Sequence, residues 1–165
     1  MIPARVITCS DAASRGERED RSGPAVRKLL EEHGCVVDAV VVVADTIEFI
    51  ATAIVDATES GNRLVVTTGG TGIAARDVTP DATMRVCDRL IPGFGELMRM
   101  KSLQQTPMAA LSRAQAMTRG TALVVNLPGS ERGAVENLAA VMELVPHALQ
   151  LLEGKTEHGT MNDEG

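Results

Sequence analysis

Aromatic side chains are nearly missing from this chain: two Phe, no Trp and no Tyr in 165 residues. That shortage excludes the stacking platforms by which proteins hold single-stranded nucleic acid. It also leaves the core to Val, Ile, Leu, Ala and Met, as suits a parallel sheet covered by helices. Cysteine is scarce too. Cys9, Cys35 and Cys87 are odd in number and widely spaced, which fits neither a disulfide framework nor a zinc site. Cys9 lies in an apolar run and reads as a small buried hydrophobe. Basic clusters are absent: the net charge is −6, the sequence pI is near 5.1, and no stripe of Lys and Arg would track phosphates. No nucleic-acid partner is expected, although an anionic small molecule remains open to a protein that adds a divalent cation. No apolar segment reaches the ~18 residues that cross a bilayer, and the N-terminus has no secretory pattern. The expectation is a cytoplasmic protein without membrane contact.

What the chain does have is the ordinary globular balance, 44% hydrophobic and 23% charged residues, at a length that suits one domain. "ARVITC" (4–9) reads as a buried strand followed by a polar turn, and Ser22 to His33 as a helix with Pro24 in its first turn. "VVDAVVVV" (36–43) is a second strand, and Thr46 to Glu59 a second helix with Ile47, Ile50, Ala51 and Ile54 on one face. "LVVTT" (64–68) makes the third strand. Thr79 is the expected N-cap of a helix running to about Leu90, with Pro80 at its first position. A further helix opens at Pro92, with Phe94, Leu97 and Met98 inward. "TALVVN" (121–126) is the fourth strand, and a last helix covers about Ala134 to Leu152, kinked near Pro146. Residues 104–120 suit either helix or an extended excursion. Residues 1–154 form the expected domain and 155–165 a polar, disordered tail.

Alternating strands and helices imply right-handed crossovers and a mostly parallel sheet with helices on both faces. In such sheets ligands bind beyond the carboxyl ends of the strands. Those ends carry the least ordinary segments of the sequence: "CSDAASRGE", "VADT", "TTGGTGIAARD" and "NLPGS". "GTGIAA" (70–75) meets the relaxed dinucleotide pattern, but "ARDVT" separates it from the next helix start, so its context fails. A nucleotide P-loop needs Gly-Lys-Ser/Thr, and no lysine lies between Lys28 and Lys101. What remains is bare backbone that an anion can approach, with acid beside it. Asp81 suits a helix N-terminus, and Asp45 with Glu48 resembles a capping box. Asp77 has no such explanation. A carboxylate next to an anion site needs a cation between them, and Mg²⁺ takes one or two carboxylates while sharing substrate phosphate oxygens. Asp45 sits on the same rim as Asp77.

No Ser-His-Asp relay or His/Cys metal cluster is visible, and His33, His147 and His158 lie away from the strand-end loops. The chemistry that fits is phosphoryl or nucleotidyl transfer, where the substrates supply nucleophile and leaving group.

"TTGGTGIAARDVTPDAT", "IPGFGELMR", "LSRAQAMTRGTALVVNLPGS" and "PHALQLLEG" together resemble the molybdopterin adenylyltransferases, the Mog/MoaB group of molybdenum-cofactor biosynthesis proteins related to the gephyrin G domain. The likeness covers about residues 4–154. It implies a three-layer α/β/α sandwich with a mostly parallel sheet, commonly trimeric and sometimes hexameric, that joins AMP from Mg-ATP to the terminal phosphate of molybdopterin. It further implies Asp45 and Asp77 as the catalytic and magnesium-binding pair. Ser10, Ser14, Gly69, Gly70, Thr71 and Gly72 are implied to hold nucleotide or pterin phosphate. Ser112, Arg113, Asn126, Pro128, Gly129 and Ser130 fall on the pterin side, and extended structure is implied before the fourth strand. Relatives often read Ser-Asp-Arg where this chain has Ser10-Asp11-Ala12, leaving Arg15 and Arg18 as nearby replacements. That departure favours, weakly, the alternative of a catalytically inactive molybdopterin-binding paralogue.

Overall fold

The computed structural model describes residues 1–155, so all but Lys155 of the expected polar tail lies outside the described residues. Its strands are β1 (Ile2–Cys9), β2 (Cys35–Val43), β3 (Leu64–Thr68), β4 (Arg89–Ile91), β5 (Gln115–Arg119) and β6 (Ala122–Leu127). The helices are α1 (Asp11–Ser14), α2 (Ser22–Glu32), α3 (Ile47–Glu59), α4 (Thr79–Val86), α5 (Pro92–Leu103), α6 (Glu131–Val141) and α7 (Val145–Leu152). The sheet order is β2-β1-β3-β6-β5-β4; the first four strands run parallel, and β5 and β4 are antiparallel additions.

Alternation along the central strands sends side chains to both faces, and both are covered. Ala4, Val6, Leu64, Val66, Leu123 and Val125 pack against α2, α5, α6 and α7, while Ile7, Val65 and Val124 meet Ile50 and Ile54 of α3 and Ala82 of α4. Each Val, Leu or Ile among them, taken fully out of water, contributes about 1.5–3 kcal/mol. These are the three layers that the sequence leads one to expect.

Four local readings are corrected. The helix opening at Thr79 ends at Val86, and Arg89–Ile91 becomes an edge strand paired to β5. Thr79 is not the cap of α4: Val78 holds that position, and no side chain caps the helix. Leu97 is exposed on the flank of α5, while Phe94 and Met98, one helical turn apart, face the core. The last helix begins at Glu131, capped by Ser130, and a 3₁₀ turn at Met142–Leu144 divides it; Pro146 then sits in the first turn of α7, where its missing N–H costs no bond. Residues 104–120 contain a 3₁₀ turn (Pro107–Leu111) and then β5. A two-residue turn joins β5 to β6, with Gly120 at φ +57°, the sign that the first position of a II′ hairpin turn requires.

Candidate active site at the carboxyl rim of the sheet

Because β1, β2, β3 and β6 are parallel, Ser10, Asp45, Gly69–Gly70 and Gly129–Ser130 all arrive at one end of the sheet. They line a cleft of about 620 Å³. Its floor is backbone. Gly69 has φ +91°, its N–H donates to the Leu127 carbonyl at 3.0 Å, and a Cβ added to it would lie 2.3 Å from the Cys9 carbonyl oxygen. A Cβ on Gly129 would stand 3.2 Å from the Gly69 Cα. Three strand ends therefore touch main chain to main chain, which only glycine permits here.

Asp45 enters from the turn after β2. Its Oδ2 accepts the Asp11 N–H at 3.0 Å, and its own N–H donates to Asp11 Oδ1 at 3.0 Å, so each aspartate holds the other's backbone. The capping-box arrangement with Glu48 is not formed: Thr46 is the N-cap of α3 and makes no side-chain cap bond. Arg76, from the glycine loop, closes the assembly by donating to both oxygens of Asp11 at 2.7–2.9 Å. Arg76 is thus the cation that neutralises Asp11 here. Arg15 pairs with Glu17, and Arg18 lines the cleft.

The electrostatics separate these acids. Arg76 holds the Asp11 carboxyl below the usual carboxylate range, with help from the Asp45 N–H. Burial pushes Asp45 the other way; the negative charges of Asp11 and Asp77 add to the rise, against the pull of the Asp11 N–H and Arg76. Asp45 Oδ1 is buried without a hydrogen-bond partner. Cys9, beneath, has its thiol pushed up to about 12 by burial and stays un-ionised, the inert role expected of it.

Asp77 does not line the cleft. Its Oδ2 accepts the Ala74 N–H at 3.0 Å, and a Cβ on Gly72 would fall 2.7 Å from that oxygen, so Asp77 flanks the glycine loop as Asp45 does at Gly70. Arg113 secures the loop. Its guanidinium donates to the Gly72 carbonyl at 2.9 Å, the Asp77 carbonyl at 2.5 Å and both oxygens of Asp81, and its N–H donates to the Thr71 carbonyl at 2.7 Å. Arg113 therefore acts on the glycine loop rather than projecting freely toward a ligand. Arg113→Lys keeps the charge but not the planar fork that reaches three acceptor groups. It is expected to weaken phosphate-anion binding at the glycine loop about tenfold while the protein stays folded. Titration of the folded variant with inorganic pyrophosphate tests this.

The other expected residues divide clearly. Ser10, Gly69, Gly70, Gly129 and Ser130 line the cleft. Ser14 points back to the Asp11 carbonyl, Thr71 is buried, and the Ser112 hydroxyl accepts the Ala114 N–H. Gly72 and Pro128 lie beside the cleft without lining it. Asn126 is fully buried, donating to Thr67 and Thr83 and accepting from Gln115, so it ties β3, β5 and β6 to α4. Sequence reasoning named Arg18 but overlooked the rest of its wall, Glu19, Asp20, Arg21 and Ser22. Asp20 accepts the Thr8 hydroxyl at 2.8 Å and the Gly23 N–H at 3.0 Å, tying β1 to the start of α2. An acid just ahead of the Ser-Gly-Pro helix start was the available signal.

The charged residues lining the cleft are Arg18 and Arg21 against Glu19, Asp20, Asp45 and Glu131. Acid outnumbers base, so a polyanion entering here needs a cation to accompany it. Among the described residues no group of three or more His, Cys, Asp or Glu is placed to hold a metal by itself. Mg²⁺ does not need such a group, since it is bound through one or two carboxylates plus substrate oxygens rather than in an all-protein cage. The unpartnered Asp45 Oδ1 is a suitable donor.

Known proteins resemble this chain along most of its length. A family profile described as "probable molybdopterin binding domain" matches residues 5–147. The molybdopterin adenylyltransferase of Helicobacter pylori (strain J99) is 43% identical over 152 residues, covering 90% of this chain and 86% of that protein. The Escherichia coli K12 protein of the same name is 39% identical over 170 residues, covering 90% and 84%. The crystal structure of the molybdopterin biosynthesis enzyme MoaB from Thermus thermophilus superposes with a TM-score of 0.87 at 46% identity, over 94% of this chain and 98% of that one. The tungsten cofactor synthesizing protein MoaB of Pyrococcus furiosus gives 0.83 at 36% identity, over 92% and 96%. A profile match along most of the chain, relatives at this identity and a shared three-layer architecture lead to one conclusion: the chain belongs to the molybdopterin-binding domain family of molybdenum-cofactor biosynthesis.

Proposed function

We propose that this chain is a molybdopterin adenylyltransferase acting at the rim cleft. The observation that carries the reading is the meeting of glycine backbone with the half-buried Asp45, whose Oδ1 has no internal partner, in a wall richer in acid than in base. That is a surface for a polyanion and its cation together. In the reaction a terminal phosphate oxygen of molybdopterin attacks the α-phosphorus of ATP. The bond from that phosphorus to the β-bridging oxygen breaks, and pyrophosphate leaves. The phosphate monoester is largely ionised at neutral pH (second pKa about 6), so the lack of a histidine base in the cleft is no obstacle. Mg²⁺, when bound, neutralises charge on the triphosphate and the leaving pyrophosphate.

Asp45 would hold that ion from the cleft, and Asp77, at the flank of the glycine loop, would supply the second carboxylate. The two interact electrostatically, and the Asp11–Arg76 pair spans the space between their segments. Gly69 and Gly70 keep the phosphate path free of side chains, and Ser10 and Ser130 offer hydroxyls at its edges. Arg18 and Arg21 supply positive charge at the mouth.

The test is to incubate the purified protein with molybdopterin, Mg²⁺ and ATP, and to assay adenylylated pterin and pyrophosphate. Both are expected. Their absence under conditions where molybdopterin demonstrably binds would favour an inactive binding paralogue. Asp77→Asn sharpens the test, because the amide oxygen still accepts the Ala74 N–H and preserves the loop. Turnover is expected to fall about 10²–10³-fold, as when one positioned charge-stabilising group is lost, with the unfolding midpoint unchanged. A wild-type rate would remove Asp77 from the site.

No helix among the described residues is long and apolar enough to cross a membrane. We place the protein in the cytoplasm, as a homotrimer or, through pairing of trimers, a hexamer. Exposed Met100, Leu103, Met108 and Leu111 on α5 and the turn after it offer apolar surface for neighbouring copies.

A further inference from the structure

Among the described residues two buried side-chain oxygens have no hydrogen-bond partner: Asp45 Oδ1 and Thr79 Oγ1. They come from the turn after β2 and the first residue of α4, yet they meet at one glycine. A Cβ built on Gly70 would lie 3.3 Å from Asp45 Oδ1 and 2.3 Å from Thr79 Oγ1. The backbone fixes this arrangement, since the Thr79 N–H donates to the Gly70 carbonyl at 3.1 Å.

Among the described residues the Thr79 hydroxyl has no partner other than the weak one offered by the Cys9 thiol. It does not cap α4, and it does not bond back to a carbonyl, as the Thr83 hydroxyl does to Thr79 O at 2.9 Å. Its polar neighbour is the Cys9 thiol, a weak partner. A fully buried hydroxyl left unsatisfied costs about 1–3 kcal/mol, a cost that a valine of nearly the same shape would not carry. A hydroxyl and a carboxylate oxygen converging on the same glycine are hard oxygen donors of the kind a small divalent cation takes, as the Ser/Thr hydroxyl does in nucleotide-binding loops.

We propose that Thr79 is a further donor of the cation site: its hydroxyl and Asp45 Oδ1 together hold the divalent ion, directly or through the ion's own water. The inference rests on the Asp45–magnesium reading above and extends it to a residue expected only to cap a helix. It also gives Gly70 a second task, since a side chain there would collide with the Thr79 hydroxyl and crowd the Asp45 oxygen.

Manganese(II) titration followed by electron paramagnetic resonance tests this without turnover, using wild type, Thr79→Val, Thr79→Ser and Asp45→Asn, with and without a non-hydrolysable ATP analogue. Thr79→Val is expected to weaken Mn²⁺ binding about tenfold or more, Thr79→Ser to stay within about threefold of wild type, and Asp45→Asn to lose the site. Circular dichroism confirms folding, and Thr79→Ala takes the place of the valine variant if that one fails to fold. Wild-type affinity in Thr79→Val alongside loss in Asp45→Asn would overturn the role of Thr79 and leave Asp45 standing. Equal loss in Thr79→Ser and Thr79→Val would overturn it too, because the hydroxyl would not be what matters. Wild-type protein that binds no Mn²⁺ with nucleotide present overturns this inference and the Asp45 cation reading together, while the product assay above still judges the adenylyltransferase reading.

Discussion

Asp45→Asn is expected to lose turnover by at least 10²–10³-fold, the scale for removing one positioned charge-stabilising group, while the metal-free protein becomes more stable at neutral pH. The two effects have one cause. Burial and the neighbouring negative charges of Asp11 and Asp77 raise the Asp45 carboxyl above its ordinary value, so the ionised form is an unfavourable occupant of the folded state. With the folded pKa above the unfolded one, the penalty is complete at pH above the folded value and vanishes below the unfolded value near 3.8. The amide removes that penalty, and its oxygen still accepts the Asp11 N–H. Its nitrogen, in place of the unpartnered oxygen, gains a donor near the Thr79 hydroxyl. Urea unfolding of the metal-free variant should show the gain at pH 7 and its disappearance as pH falls toward 4. A variant that is inactive and also less stable at pH 7 would mean that Asp45 serves the fold rather than the ligand.

Gly69→Ala has the second large effect, and here both stability and activity fall. At φ +91° an alanine meets a backbone cost of about 1–3 kcal/mol. Its Cβ would also stand 2.3 Å from the Cys9 carbonyl oxygen, which is main chain and cannot rotate away. The ends of β1 and β3 would have to separate, and the Gly69 N–H bond to Leu127 with them. An internal control exists: Gly34 and Gly61 also have positive φ, at +81° and +92°, but open space where a Cβ would go. Alanine at those sites should cost only the backbone term. Equal losses at Gly34, Gly61 and Gly69 in urea unfolding would show that the close approach of strand ends carries no special energy.

The parallel part of this fold was legible because each buried strand is a short, continuous β-branched run bounded by turn residues, as in "LVVTT". Strands β4 and β5 were not. β4 is three residues long, and its existence depends on pairing with β5, more than twenty residues away, rather than on any local pattern. The rim was equally legible, because glycines and polar residues gathered where four strands ended. Which of those residues face the cleft was not. Arg113 and Asn126 share the rim segments with Gly129 and Ser130, yet their side chains turn inward to satisfy carbonyls and hydroxyls. No spacing rule announces that choice. Arg76 shows the same limit from the other side: it stands beside Asp77 in the sequence, but its partner is Asp11, 65 positions earlier.

The most direct measurement is an anomalous difference map from crystals grown with Mn²⁺ and a non-hydrolysable ATP analogue. The expected result is a manganese peak beside the Asp45 carboxylate, with nucleotide phosphates over Gly69 and Gly70. The molecule has another hollow, of about 490 Å³ and lined by Arg63 and Arg119, at the opposite ends of β3 and β6. Phosphates and metal found there, with the rim cleft empty, would contradict the account.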